Sequence, residues 1–295
     1  MANLLSVVIP VYNSSNSLKK LIYSICKESK SIDIIIVDDK SNVIDKEALE
    51  NLIQFFKNKF SNNICFFENE TAVKSAGTSR NIGLRKVSSK WVVFADADDY
   101  FIDGWYKEVK KWMENDNDIV FFTPTSRMVK QDDFSCRHIP FESLIKKYRK
   151  KNHKRIDELK LRTRFVVPWS KLYKVSFLKE NKIYFDDIIA SNDVMFSIKS
   201  GIKANKFDTS NSVIYCVTEG EGTLTSHISF EKMVSRFKVL FEYNSLLKKE
   251  FSSIEYIKLK VHGGELMRKI FNKDFSWEEK RYLLGLFWNL NFGIK

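Results

Sequence analysis

The chain has 295 residues, of which 44% are hydrophobic and 29% are charged, and its formal net charge is +12. It is too apolar for a disordered protein, and its 10 Gly and 4 Pro are too few for a collagen-like or low-complexity one. No apolar run reaches the roughly 20 residues that a transmembrane helix needs. The first 100 residues hold 13 basic and 12 acidic side chains, so the positive charge is concentrated in residues 101–295.

The first half of the chain alternates between strand patterns and helix patterns. Short apolar runs predict strands at residues 4–10, 33–37, 64–68, 91–95 and 119–123. Between them, apolar residues recur at helical spacing, which predicts helices at residues 18–26, 49–60, 75–87 and 105–113. This alternation predicts an α/β fold with a mainly parallel, twisted sheet and helices on both faces.

The second half is less regular and strongly basic. Between Lys146 and Arg164 there are ten Lys or Arg residues and only two acids. Apolar residues at helical spacing predict a helix at 230–247, and Ser276 with Glu279 forms a capping-box pattern at the start of the terminal segment 276–295. We therefore expect a mostly helical, basic C-terminal region.

Acidic residues follow two of the predicted strands. Asp38 and Asp39 end the second strand, and Asp96, Asp98 and Asp99 follow the fourth. Ligands of such sheets bind outside the carboxyl ends of the strands, where these carboxylates would repel one another without a cation or polar ligand. Asp96 and Asp98 are spaced to share a hard divalent ion whose other ligands are water and phosphate oxygens. The alternative is that both groups are ordinary acidic turns or helix caps.

Four segments carry a resemblance to a known family. They are VVIPVYN (7–13), IIIVDDKS (34–41), AGTSRNIG (76–83) and VVFADADD (92–99). In order and spacing they resemble glycosyltransferase family 2, whose members are inverting enzymes of the GT-A fold, Rossmann-like in its nucleotide-binding half. VPWSKLYK (167–174) and NDVMF (192–196) look more loosely like segments of bacterial capsule and lipopolysaccharide transferases.

The resemblance implies a division of the chain. Residues 1–125 would form the nucleotide-sugar-binding half of the GT-A domain, and residues 126–225 its acceptor-side half. Residues 226–295 would form the helical C-terminal region.

The resemblance also implies how the donor is bound. Pro10 and Tyr12 would flank the nucleotide base, and Asp39 would bind its uracil-like edge, which favours a UDP-sugar. Arg80, paired with Asn81, would lie near the diphosphate and the donor sugar. The alternative for Arg80 is a surface ion pair on a helix.

A Mn²⁺ or Mg²⁺ cofactor follows from the same resemblance. Asp98 would be the principal metal ligand, and Asp96 would contact the metal or the ribose. Asp99 would face the sugar or brace the loop. His227 could be a further metal or phosphate ligand, as in some relatives, or an ordinary surface histidine.

The catalytic base should be a carboxylate later in the chain, since inversion by single displacement requires a base for the acceptor hydroxyl. Asp193 matches the family position for this base, although Asn192 stands where Glu is usual. The alternative for Asp193 is a helix N-cap, and Asp186 and Asp187 are weaker candidates for the base.

Acceptor contacts are expected from Trp169 and Lys171, which fall in the W-x-K-L-Y segment. An exposed indole can stack on a sugar, and a lysine can meet a phosphate. The alternative for Trp169 is packing in the core. Asn192 could also contact the acceptor or the sugar.

The resemblance thus implies transfer of a hexose or N-acetylhexosamine from a UDP-sugar to a saccharide or lipid-linked acceptor. The product would be a cell-surface polysaccharide or glycolipid. The protein would be located in the cytoplasm or at the inner face of the bacterial inner membrane. There the basic second half could meet anionic lipid or an anionic acceptor. The terminal aromatic segment could lie in the membrane interface or pack as a core or homodimer helix.

Other functions fit the sequence less well. A sugar-nucleotide pyrophosphorylase would carry a Gly-rich loop after the first strand, where this chain has Val11, Tyr12 and Asn13. A phosphatase with an Asp nucleophile would leave the first two segments unexplained. The net charge permits a nucleic-acid-binding protein, but no recognised nucleic-acid module is visible.

Overall fold

The computed structural model of the protein describes residues 3–129, 133, 135–220, 229–271 and 275–292. These residues form the strands β1 (Leu5–Val11), β2 (Ile32–Asp38), β3 (Ile64–Glu68), β4 (Trp91–Phe94), β5 (Tyr100–Phe101), β6 (Ile119–Met128), β7 (Lys171–Lys174) and β8 (Phe207–Glu219). They also form the helices α1 (Ser15–Cys26), α2 (Val43–Lys59), α3 (Ala76–Lys86), α4 (Trp105–Met113), α5 (Ile139–Tyr148), α6 (Arg155–Arg164), α7 (Val175–Glu180), α8 (Val194–Lys203), α9 (Phe230–Glu250), α10 (Ser253–Leu259), α11 (Gly264–Phe271) and α12 (Trp277–Phe292). The five strands and four helices predicted in the first half are all confirmed.

The strands form one sheet in the order β3-β2-β1-β4-β7-β6-β8-β5. Strands β1 to β4 are mutually parallel, and β6 is parallel to β8. Strand β7 is antiparallel to both of its neighbours, β4 and β6, and β5 is antiparallel to β8. The predicted α/β fold is confirmed, but the sheet is mixed because β7, which carries no long apolar run, enters between β4 and β6.

The core of the first half lies on both faces of β1 and β2. Every residue of these two strands is buried, which explains why their sequences are continuous apolar runs without polar alternation. Helix α3 lies directly on β1, since a Cβ atom on Gly83 would come within 2.5 Å of Val8 Cγ1. This close contact fixes α3 beside the carboxyl ends of the parallel strands.

The sheet has two opposite edges, at which its parallel strands end and begin. The carboxyl edge comprises the loops that follow β1, β2 and β4. The amino edge lies where β6 and β8 begin, at the paired residues Ile119 and Phe207. Because β6 and β8 run in the same direction as β1 and β4, the ends of all these strands point to the carboxyl edge.

The C-terminal helices pack around two apolar clusters. One cluster joins α9 and α10 to α6 and α8, and includes Leu159, Met195 and Tyr243. The other joins α9, α11 and α12, and includes Phe237 and Ile270. The helix predicted at 230–247 is confirmed as α9, so the helical C-terminal region is present.

Helix α12 begins as predicted and is only half buried. The Ser276 amide donates to the Glu279 carboxylate at 2.8 Å, and the Glu279 amide donates to Ser276 Oγ at 3.2 Å, which completes the capping box. Leu283 is fully buried against α9 and α11, whereas Trp277 and Trp288 are 76% and 63% exposed. Among the helices of the described residues, none has the length and apolarity to cross a membrane.

Candidate functional site

Asp39 is fixed at the carboxyl edge by three donors. Its Oδ1 accepts hydrogen bonds from Asn69 Nδ2 at 2.6 Å, the Ser75 amide at 3.2 Å and Ser79 Oγ at 3.1 Å. No hydrogen bond within the described part of the chain uses its Oδ2. A buried carboxylate with one oxygen held and the other available is suited to accept an N–H of a nucleotide base.

The two residues predicted to flank the base differ in exposure. Pro10 is buried in β1 opposite Val37, whereas the ring of Tyr12 is partly exposed just beyond the end of that strand. The Lys74 ammonium lies 3.3 Å from the centroid of the Tyr12 ring. The surface that could receive a base here is therefore formed by Tyr12 and Lys74, whereas Pro10 is buried in the strand.

Asp96 and Asp98 lie on the loop that follows β4. The Asp96 side chain is 29% exposed, and its amide donates to the Tyr215 hydroxyl at 2.8 Å. The Asp98 carbonyl accepts a hydrogen bond from Thr218 Oγ1 at 2.7 Å. Burial, and then the neighbouring charge of Asp96, raise the pKa of Asp98. The two carboxylates are thus close enough to repel each other.

Asp99 is an internal brace of this loop. It is 2% exposed, its Oδ2 accepts from the Tyr215 hydroxyl at 2.9 Å, and its Oδ1 accepts from the Thr218 amide at 2.7 Å. Burial raises the pKa of Asp99 well above its usual range. Of the two roles predicted for Asp99, these contacts support bracing the loop, and they correct its assignment as a donor-sugar ligand.

Arg80 connects the loop that carries Asp96 and Asp98 to residues 185–193, which carry the predicted base Asp193 and are called the base-bearing segment. Its Nη2 pairs with Asp96 Oδ1 at 2.5 Å, and its Nη1 donates to Asn192 Oδ1 at 3.1 Å. Arg80 is 5% exposed, and its Nε has no partner among the described residues. Burial alone would lower the pKa of Arg80, but the Asp96 and Asp193 carboxylates outweigh it and raise the pKa. The arginine is therefore a buried bridge and not the surface ion pair considered above.

The rest of α3 holds the same segment in place. Asn81 Nδ2 donates to the Phe185 carbonyl at 2.8 Å, and the Phe185 amide donates back to Asn81 Oδ1 at 2.9 Å. A Cβ atom on Gly77 would lie 2.4 Å from the Asp186 carbonyl oxygen and 2.8 Å from Asn192 Cβ. The absence of a side chain at Gly77 therefore allows the base-bearing segment to rest on α3.

Asp193 stands at the N-cap position of α8 without acting as a cap. Within the described residues, its side chain accepts no hydrogen bond from the first turn of the helix. Burial raises its pKa, and the nearby Arg80 guanidinium partly offsets this effect. Asp193 as a residue is partly exposed, its carboxylate interacts with the Arg80 charge, and it is not used for capping, so it remains the candidate proton acceptor.

Trp169 and Lys171 do not line the carboxyl edge. Trp169 is 2% exposed and stacks on Tyr215 with ring centroids 5.8 Å apart. Lys171 is 1% exposed, its Nζ donates to the Phe165 carbonyl at 2.6 Å, and burial lowers its pKa well below the usual range. Both residues are core residues, which corrects the prediction that they contact the acceptor.

The carboxylates fit a divalent cation that takes few protein ligands. No group of three or more His, Cys, Asp or Glu that could hold a metal occurs in residues 3–129, 133, 135–220, 229–271 and 275–292. Mg²⁺ and Mn²⁺ sites in phosphate-binding proteins typically use one or two carboxylates and complete their shell with water and phosphate. Asp98 and Asp96 provide such a pair, whereas His227 lies outside the described residues.

Sequence patterns missed the structural roles of three residues of the site, two in β8 and one in α3. Tyr215 and Thr218 of β8 hold the three aspartates of the loop after β4 in place. They are distant in sequence, since Tyr215 follows Asp99 by 116 residues. No local motif marks them. Gly77 could have been found, because a glycine in a helical pattern signals a close approach of another segment.

Solved structures of related proteins share this architecture. The crystal structure of residues 1–349 of Staphylococcus aureus TarS in complex with UDP-GlcNAc matches with a TM-score of 0.62 at 22% sequence identity. The match covers 99% of this chain and 73% of that chain. The mixed sheet with its carboxylate loops is therefore a GT-A fold.

The sequence comparisons give the family. The profile described as "Glycosyl transferase family 2" matches residues 6–181, so the chain belongs to glycosyltransferase family 2. It is 24% identical over 279 residues to the Staphylococcus aureus poly(ribitol-phosphate) beta-N-acetylglucosaminyltransferase TarS, covering 92% of this chain and 44% of the relative. It is 28% identical over 219 residues to a Bacillus spizizenii poly(ribitol-phosphate) beta-glucosyltransferase, covering 72% and 31%. The chain thus spans less than half the length of these curated relatives.

Proposed function

We propose that this chain transfers a hexose or N-acetylhexosamine from a UDP-sugar to a hydroxyl of a polymeric acceptor, with inversion at the anomeric carbon. The observation that carries the proposal is the Arg80 bridge, which places the Asp193 segment beside the Asp96 loop. A base and a diphosphate site must lie on opposite sides of one anomeric carbon, and the Arg80 contacts to Asp96 and Asn192 support this arrangement by linking the two segments.

The donor would bind along the carboxyl edge. Its uracil would stack on Tyr12 and donate an N–H to Asp39 Oδ2, and its diphosphate would lie towards Asp96 and Asp98. A relative of this fold has been crystallised with UDP-GlcNAc, and another relative is named as a glucosyltransferase, which supports a UDP-linked hexose or N-acetylhexosamine. Residues 1–125 would supply the donor half, residues 126–225 the acceptor side, and residues 226–295 the helical support.

The chemistry would be a single displacement. The acceptor oxygen forms a bond to the anomeric carbon as the bond to the UDP phosphate oxygen breaks, and Asp193 takes the hydroxyl proton. Asp98 and Asp96 would hold a Mn²⁺ or Mg²⁺ ion, which supplies positive charge to the diphosphate leaving group when bound. Arg80 would keep Asp193 and the Asp96 loop in register.

The acceptor we propose is a polyol-phosphate polymer of the cell surface, a more specific form of the saccharide or lipid-linked acceptor expected above. Both named relatives act, by their names, on poly(ribitol-phosphate). Such a polymer presents free hydroxyl groups between phosphodiesters, and one of these would be the nucleophile whose proton Asp193 takes.

The test is metal-dependent UDP release from UDP-GlcNAc and UDP-glucose with a polyol-phosphate acceptor. We expect Asp98→Ala to lower the rate roughly 100-fold or more and to weaken Mn²⁺ binding measured by electron paramagnetic resonance. Asp116→Ala is the matched control, because Asp116 is an exposed acid paired only with Lys174 and Lys206 near the amino edge, among the described residues. Equal activity of wild type and Asp98→Ala would overturn the proposal.

A further inference from the structure

The most concentrated positive charge of the molecule lies in the turn between α5 and α6. We call residues 146–155 the basic turn; it contains Lys146, Lys147, Arg149, Lys150, Lys151, Lys154 and Arg155, all exposed. Lys146 pairs with Glu142, and Arg155 pairs with Glu158. Of the other five, Arg149 hydrogen-bonds to Thr209, and four lysines form no ion pair with any described residue: Lys147, Lys150, Lys151 and Lys154.

The fold places the basic turn at the amino edge, away from the proposed donor site. The Tyr148 ring lies 5.4 Å from the Phe207 ring, and Arg149 Nη1 donates to the carbonyl and hydroxyl of Thr209 at the start of β8. From the Ile119–Phe207 pair to the Arg127–Thr218 pair, which adjoins Asp99, β6 extends about 25 Å at roughly 3.3 Å per residue. The charge of the basic turn therefore lies at the opposite edge of the sheet from the proposed donor site.

Exposed aliphatic side chains adjoin the basic turn. Helix α10 packs on α6, where Arg155 Nε lies 3.8 Å from Glu255 Oε1. On either side of Glu255, Ile254 is 68% exposed and Ile257 is 71% exposed. Leu259, at the end of the same helix, is buried, so α10 presents one apolar face to the protein and another to solvent.

We propose that the basic turn and the exposed isoleucines of α10 form a docking surface for an anionic lipid bilayer. Unpaired lysines are attracted to anionic headgroups, and aliphatic side chains beside them can enter the interfacial region. A hydrated polyanion would use the lysines but would gain nothing from Ile254 and Ile257. A bilayer is therefore the partner that uses both features.

This orientation would leave the carboxyl edge facing away from the bilayer. The donor site would then be held about 25 Å or more above the lipid surface, where it could reach a long acceptor chain. The docking proposal does not depend on the transfer reaction, because vesicle binding requires no donor and no turnover.

Vesicle co-sedimentation of the full chain tests the proposal. The probes are phosphatidylcholine vesicles with and without phosphatidylglycerol. We expect binding only with phosphatidylglycerol, and at least about ten-fold weaker binding when all four unpaired lysines are changed: Lys147→Glu, Lys150→Glu, Lys151→Glu and Lys154→Glu. The matched control changes four exposed lysines elsewhere by the same charge and should lose much less: Lys30→Glu, Lys57→Glu, Lys107→Glu and Lys110→Glu.

The apolar contribution is tested separately. Ile254→Ser with Ile257→Ser should weaken binding about three-fold or more, and the effect should persist at high salt. Val43→Ser with Ile44→Ser removes aliphatic side chains that are 82% and 83% exposed on α2, and should leave binding unchanged. Circular dichroism and UDP binding confirm that each variant is folded.

Three outcomes would overturn the proposal. The first is an absence of vesicle binding at low salt. The second is equal loss of binding in the basic-turn variant and its lysine control. The third is binding of soluble RNA or polyphosphate through the same lysines without any vesicle binding, which would assign the surface to a polyanion.

Discussion

The two edges of the sheet carry charge in opposite ways. At the carboxyl edge, Asp39, Arg80 and Asp99 are 5%, 5% and 2% exposed, and each is tied to several partners. At the amino edge, Lys150 and Lys151 are exposed and have no ion pair within the described residues.

This contrast separates two uses of charge. Burial strengthens electrostatic interactions and fixes geometry, which suits chemistry on a diphosphate. Exposed charge is screened and costs little to keep, but it attracts a surface of opposite sign over a distance set by the salt concentration. Substitutions at the carboxyl edge should therefore change stability and catalysis, and those at the amino edge should change association.

The largest effect on stability should come from adding a side chain where α3 packs directly against the base-bearing segment. In Gly77→Ala the new Cβ would lie 2.4 Å from the Asp186 carbonyl oxygen. This backbone atom cannot rotate away, so the base-bearing segment must shift. We expect a loss of about 3 kcal/mol in the free energy of unfolding, measured by urea denaturation, together with reduced turnover.

Gly285→Ala is the matched control for this substitution. Gly285 lies on the exposed side of α12, and no described atom is within 4 Å of its added Cβ. Alanine is the better helix former, so this variant should be as stable as wild type or up to about 1 kcal/mol more stable. If both variants behaved alike, α3 would not be the platform for the 185–193 segment.

A smaller effect should come from Asp186, a half-buried carboxylate beside the base-bearing segment. Burial raises its pKa from 3.8 to about 6, with Lys199 opposing the shift and Glu242, Asp187 and Asp193 adding to it. Because folding raises this pKa, the native state binds the proton more tightly than the unfolded state. Asp186 therefore costs no stability below about pH 4, and its cost develops between about pH 4 and pH 6.

Asp186→Asn should remove this cost. We expect the variant to be about 1–2 kcal/mol more stable than wild type above about pH 6, with the difference vanishing towards about pH 4. Urea denaturation at both ends of this range measures it. A variant that is less stable at every pH would show that the Lys199 contact, at 3.9 Å, outweighs the burial.

Much of this architecture could be predicted from the sequence, and the reasons are local. The apolar runs of β1 and β2 reflect the burial of both faces of these strands. The helical spacing of apolar residues in α1 reflects the burial of one face of that helix. Strands β5 and β7 could not be predicted, because they are 2 and 4 residues long and depend on pairing with distant strands.

The site was predicted unevenly for the same reason. Asp39, Asp98 and Asp193 stand in recognisable segments, whereas Tyr215 reaches Asp99 only through the folded sheet. The sequence could not assign Trp169, because an aromatic residue in a motif can either stack on a sugar or pack in the core. Only its burial in the folded protein distinguishes the two roles. The charge of the basic turn was visible in the sequence, but its place at the amino edge required the contact between Tyr148 and Phe207.

In the proposed reaction, Asp193 acts on the acceptor while the strand-end carboxylates and Tyr12 bind the donor. The most direct test measures turnover and, by titration calorimetry, UDP affinity in Asp193→Asn. Asp187→Asn is the matched control, because its exposed side chain can still accept the Thr78 Oγ1 hydrogen bond seen at 2.8 Å. We predict a turnover roughly 10²–10⁴-fold lower in Asp193→Asn with UDP affinity within a few-fold of wild type, and near-wild-type values in the control. Wild-type turnover in Asp193→Asn, or loss of UDP binding in parallel with turnover, would contradict this account.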